Sequence, residues 1–180
     1  MSGFKNFAVV GAGNVGGFIV EELLKQKAAG NVNEISIVSR PVHPPCSSLR
    51  RFTKGANEFN NENAKQASRD KEQNKSYAAQ GVRIASAEYT DVPALTAALA
   101  GTHVVISTIS LFAIDAQVPI AEAAKAAGAK LFLPSEFGGP TDSLPGVFGA
   151  KGKLHAKLRE VGPPQLLVYT GPFSDYSWGP

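Results

Sequence analysis

Cysteine is almost missing from this sequence: Cys46 is the only one in 180 residues. A lone thiol excludes an internal disulfide framework and a paired-cysteine metal site, and it suits a reducing compartment. An excess of charge of either sign is also lacking. Eighteen Lys and Arg against 15 Asp and Glu leave a formal net charge of +3, too small and too scattered for a nucleic-acid surface. No apolar run approaches the roughly 20 residues that a bilayer span requires, so no membrane partner is expected. Met1 to Lys5 lead straight into an apolar run without the basic-then-apolar pattern of a signal peptide, which makes cytoplasm the expected compartment. Neither HExxH nor GxxxxGK[ST] occurs. The histidines, His43, His103 and His155, are scattered. His103 opens an apolar run and His155 falls on a helix flank, so both read as structural or exposed, and no metal is expected.

What is present is an ordinary globular composition, 43% apolar and 18% charged. The length fits one domain over 1–180. Short β-rich runs alternate with helical patterns along it. Phe7 to Val10 reads as a strand, followed by Gly11-Ala12-Gly13-Asn14-Val15-Gly16 and a helix with Val15, Ile19 and Leu23 on one face. Further strands are expected at Glu34 to Arg40, Gly81 to Ser86, His103 to Ser110, Lys130 to Leu133 and Gln165 to Thr170. Helices are expected at Pro93 to Leu99, Ala116 to Ala126 and Val147 to Val161. Strands that are continuously rather than alternately apolar imply a parallel sheet covered on both faces, an α/β doubly wound (Rossmann) fold. Pro44 to Gln80 breaks the pattern, being rich in Asn, Lys, Gln and Ser with few large apolar residues. It reads as an inserted, largely mobile loop with helical stretches around Asn63 to Lys75. A cofactor or partner contact from Arg50, Arg51 or Lys54 is the less favoured reading of its charges.

The glycine fingerprint carries the chemistry. Gly11 permits the tight turn out of the strand, Gly13 lets the backbone approach a pyrophosphate, and Gly16 lets the helix pack on the sheet. Asn14 and Val15 complete the turn, and the helix start offers unpaired N–H groups and a partial positive charge to phosphates. At the tip of the second strand stand Ser39 and Arg40, with no carboxylate to hold a ribose 2′-hydroxyl. A guanidinium there pairs with a 2′-phosphate, so NADPH is the expected cofactor in preference to NADH. Ser107 and Thr108 end the fourth strand and Ser135 follows the fifth, at the sheet edge where ligands lie in open parallel sheets. Glu136 reads as an acid or as a structural cap, with the structural role preferred. Lys151 shares a helix face with Val147, Leu154 and Leu158. Spacing leaves two readings of it open. Desolvation there would lower its pKa and suit it to proton transfer, or its stem packs while the ammonium reaches water.

No Tyr-x-x-x-Lys occurs, so the tyrosine acid usual in short-chain reductases is missing. Four stretches together resemble the NmrA-like, isoflavone-reductase-like branch of the atypical short-chain dehydrogenases. They are Val10-Gly11-Ala12-Gly13-Asn14-Val15-Gly16, His103-Val104-Val105-Ile106-Ser107, Leu131-Phe132-Leu133-Pro134-Ser135-Glu136-Phe137-Gly138 and Val147-Phe148-Gly149-Ala150-Lys151-Gly152-Lys153. The resemblance implies an NADPH-dependent reductase of small aromatic, phenylpropanoid-type substrates. It implies Lys151 as the catalytic acid/base and Arg40 as the 2′-phosphate ligand. It also admits an alternative, a non-catalytic dinucleotide-sensing regulator acting through a protein partner. Two departures stand out: a longer loop after the second strand, and an end at Pro180 before most of the family's substrate-binding region. A shortened member of the family is therefore expected.

Overall fold

The computed structural model describes residues 3–41, 72–140 and 146–171. Expectations for Arg50, Arg51, Lys54 and the rest of 42–71 lie outside these residues. The described chain runs β1 (Asn6–Val10), α1 (Asn14–Ala28), β2 (Glu34–Ser39), α2 (72–79), β3 (Arg83–Ser86), α3 (Val92–Ala98) and β4 (Val104–Ser107). A 3-10 stretch, Leu111–Ala116, then leads into α4 (Gln117–Ala126), followed by β5 (Leu131–Leu133) and α5 (Gly146–Val161). The strands form one sheet in the order β3-β2-β1-β4-β5, and every pairing is parallel. Crossing from β3 to β4 passes over both intervening strands, which puts the change of winding direction between β1 and β4. This is the doubly wound Rossmann arrangement, in which ligands lie beyond the carboxyl ends of the strands at that crossing.

Strand alternation sorts the core into two layers. On one face Ala8, Val10, Val38, Val105 and Phe132 meet Leu95 and Leu99 of the α3 region, Ile120 of α4, and Leu154 and Leu158 of α5. On the other, Val9, Ile35 and Ile37 meet Val20 of α1 and Tyr77 of α2. Asp91 starts α3 by accepting a hydrogen bond from the Ala94 N–H at 2.9 Å, with Pro93 in the first turn where its missing N–H costs nothing.

Three features differ from expectation. Residues 72–79 are helical and packed; helix was expected only as far as Lys75 and within a largely mobile loop, so the packing and the extension to residue 79 are what differ. Tyr77 is buried, and its hydroxyl lies 3.4 Å from the Gly17 carbonyl. A Cβ at Gly17 would come within 2.9 Å of Gln73 Nε2, the flexible end of a long side chain, and 3.4 Å of the Tyr77 hydroxyl, so α2 lies close against α1 here. The inward stripe of α1 accordingly includes Gly16, Gly17 and Val20, while Ile19 and Leu23 are only partly buried and Val15 is half-exposed.

The strand expected over Gln165 to Thr170 is reduced to one bridge, between Phe132 and Gln165. The Phe132 N–H donates to the Pro164 carbonyl at 2.9 Å and the Leu166 N–H to the Phe132 carbonyl at 3.0 Å. In a parallel ladder the next N–H towards this neighbour would come from residue 134, which is proline and has none. The pairing stops there. His155, placed on a helix flank, is instead buried, 1% exposed, on the inward side of α5.

Candidate dinucleotide and proton-transfer site

The carboxyl edge of β1 carries the glycine turn. Gly11 adopts φ +88°, a left-handed conformation that glycine enters without steric cost, and its N–H donates to the Val38 carbonyl at 2.9 Å. A Cβ at Gly16 would sit 2.1 Å from the Gly11 carbonyl oxygen and 2.6 Å from Thr108 Oγ1, so only glycine fits. A Cβ at Gly13 would meet no atom within 4 Å. Packing within the chain therefore does not require glycine at position 13, whereas a ligand lying against the turn does. Gly13 caps α1 without a side-chain hydrogen bond, which leaves the first-turn N–H groups to other acceptors. Asn14 is exposed and Val15 half-buried beside this opening. The residues present fit a dinucleotide pyrophosphate.

The Thr108 side chain is engaged within the chain, at the glycine turn. Its hydroxyl donates to the Gly11 carbonyl and lies 3.3 Å from that of Val10, so it braces the turn from β4. Ser107 is fully buried, and its hydroxyl has no hydrogen-bond partner among the described residues. Only a rearrangement would expose that side chain to a ligand.

At the end of β2, Ser39 is half-buried and Arg40 exposed. The Arg40 guanidinium lies over the ring of Tyr89, 5.5 Å from its centroid, an arrangement in which the ring face attracts the cation. Tyr89 is itself buried, with its hydroxyl 3.5 Å from the Val38 carbonyl. Sequence reasoning singled out Arg40 without its platform, which arrives from beyond β3.

The carboxyl end of β5 gathers a second group. Lys151 Nζ donates to the Ser135 carbonyl at 2.7 Å. The Ser135 N–H donates to Gln117 Oε1 at 2.7 Å, and its hydroxyl donates to the Ile109 carbonyl at 3.0 Å. The Ser135 peptide is thus fixed from α4, from the end of β4 and from α5. Glu136 Oε1 lies 2.9 Å from His155 Nε2, and both side chains are almost wholly buried. Glu136 therefore takes the structural role preferred for it. Lys151 is half-buried, while Leu154 and Leu158 on the same side of α5 are buried. The sequence missed Gln117 and the Glu136–His155 pair. His155 follows Lys151 by four residues, a spacing that places both on one helix face and was the available signal.

The NmrA-like family profile matches residues 5–177. The chain belongs to the NmrA-like family. Phenylcoumaran benzylic ether reductase PT1 of Pinus taeda is 33% identical over 108 residues, which cover 56% of this chain and 35% of that protein. The AtPrR2 structure with NADP+ and (+)pinoresinol superposes with a TM-score of 0.71 at 23% identity, covering 98% of this chain and 53% of that one. An isoflavone reductase structure gives 0.71 at 24% identity, covering 96% and 51%. This NmrA-like chain spans about half the length of these solved structures. Among its described residues, no helix is long and apolar enough to cross a membrane.

Proposed function

We propose that this chain is the dinucleotide-binding portion of an NADPH-dependent reductase acting, in the cytoplasm, on small aromatic substrates of the phenylpropanoid type. The observation that carries the reading is the position of Lys151, whose ammonium is held at the Ser135 carbonyl on the same carboxyl edge of the sheet as the glycine turn. Gly11, Gly13 and Gly16, with the first turn of α1, hold the pyrophosphate, and Arg40 on its Tyr89 platform pairs with the 2′-phosphate. When bound, the cofactor supplies a hydride. Lys151 uses one of its three N–H donors on Ser135. Its remaining donors hold a developing oxyanion or deliver a proton to it. The relatives support the substrate class, since one is a benzylic ether reductase and another was solved with pinoresinol.

Titration with NADPH and with NADH tests the cofactor half. Preference for NADPH is expected, with at least about a tenfold loss in Arg40→Glu, where an attractive charge becomes a repulsive one. Equal affinity for the two cofactors would overturn it. Turnover of a phenylpropanoid substrate tests the other half. Lys151→Met is expected to lower kcat by about 10²-fold or more while NADPH binding stays intact. Unchanged kcat would remove Lys151 from the mechanism.

A further inference from the structure

Two consecutive residues after β5 are each tied to α5, and the two ties fall on residues four apart in that helix. Ser135 accepts from Lys151 at 2.7 Å, and Glu136 meets His155 at 2.9 Å. Residues spaced by four stand one above the other on a helix, about one 5.4 Å turn apart. The pairs therefore form adjacent rungs between the loop and α5. They differ in burial. The Glu136–His155 rung is closed off, with side chains 0% and 2% exposed, whereas Lys151 is half-buried at the outer rung. A lysine stem carries several rotatable bonds, so an untethered ammonium samples many positions. A single hydrogen bond to a carbonyl holds such a chain only while that carbonyl stays in place. Gln117 and Ile109 fix Ser135 from the sheet and α4 sides. Among the described residues, His155 and Glu136 supply a polar tie to α5 one turn from Lys151.

We propose that the buried Glu136–His155 pair is a positioning device for Lys151, locking the rotation and height of α5 against the loop so that Nζ stays at Ser135. This rests on reading Lys151 as the residue that handles the proton. Neither Glu136 nor His155 touches the reacting atoms. A packing role alone would need no donor at position 155, because replacing a buried pair with apolar side chains of similar size often leaves stability unchanged or higher.

The test reads the chemistry of the lysine itself and needs no substrate. The whole chain is treated with limiting acetic anhydride, and the labelling rate of Lys151 is measured by peptide mass spectrometry relative to the exposed Lys153 and Lys157. His155→Leu is expected to raise the relative rate about fivefold, the factor corresponding to loss of one net hydrogen bond. His155→Gln, which retains an amide N–H near the place of Nε2, is expected to keep the native rate. The double variant Glu136→Leu/His155→Leu removes both members of the pair together, so it covers the case in which the single variant does not fold. It is expected to label as fast as His155→Leu. An unchanged relative rate in whichever apolar variant unfolds cooperatively overturns the proposal, and so does a His155→Gln protein that labels as fast as the apolar variants. The readout is independent of turnover, so an idle Lys151 in the reductase assay and a failed positioning device give separate results.

Discussion

The two faces of the sheet are built differently. The face covered by α3, α4 and α5 buries Phe132, Leu95, Leu99, Ile120 and Leu158 and also encloses polar groups: Ser107, Gln117, Glu136 and His155. The face under α1 and α2 packs Val9, Val20, Ile35, Ile37 and Tyr77, and its contacts at the helix depend on Gly16 and Gly17. It is also less fully covered. Leu131 and Leu133, which by alternation with Phe132 point to that side, are only half-buried, and Phe18 on α1 is 72% exposed. One face places side chains that can do chemistry, and the other brings backbone close enough to bind. The first tolerates polar groups because most of them are paired. The second excludes added volume at Gly16, against the Gly11 backbone.

Phe132→Ala breaks the first face at its centre and is expected to have the largest effect, about 3–5 kcal/mol of stability, because a fully buried ring leaves a cavity. Urea denaturation checks it. Gly16→Ala attacks the second face. Its methyl would meet the Gly11 carbonyl and Thr108, so the turn must shift, at about 1–3 kcal/mol for overpacking. The sharper consequence is functional. Nucleotide affinity, measured by calorimetry, should fall in Gly16→Ala, whereas Phe132→Ala should retain it below its unfolding transition.

The smallest effect is expected from Tyr77→Phe, about 0.5–1.5 kcal/mol for hydroxyl contacts to Gln73 and Gly17. Burial pushes the Tyr77 phenol above its ordinary value. A raised folded-state pKa contributes stability that is fully present below about pH 10 and is lost as pH rises through the raised value. The urea midpoint of the native chain should therefore fall more between pH 8 and pH 11 than that of Tyr77→Phe. Parallel curves would show that the phenol is not confined between the helices.

The same comparison explains what could be read in advance. Strands β1, β2, β4 and β5 and the helices α3, α4 and α5 follow from apolar runs and periodicity, because each buries residues that the pattern displays. By contrast, β3 is largely exposed and α1 turns Gly16, Gly17 and Val20 inward. Helix α2 was legible only in part, as a helical stretch to Lys75 in a mobile loop, since Tyr77 alone anchors it among polar residues and meets the Gly17 carbonyl on α1. The strand after α5 was expected on good β-formers, Leu166 to Tyr169. It was lost to one missing N–H in its would-be partner, which propensity does not register. In the candidate site, the tight turn at Gly11 and the close helix approach at Gly16 were legible because both follow from residue type and local position. Gln117, Tyr89 and the Glu136–His155 pair were not, because each acts on a neighbour distant in sequence.

Pro134 has a consequence for life in a crowded solution. An open sheet edge is a template on which a stray extended chain can grow by matching N–H to carbonyl. Here the edge of β5 offers one matched rung, already taken by the segment around Gln165, and then a ring where the next donor should be. Among the described residues, the residue that halts this pairing thus also guards the β5 edge against further pairing by a stray chain.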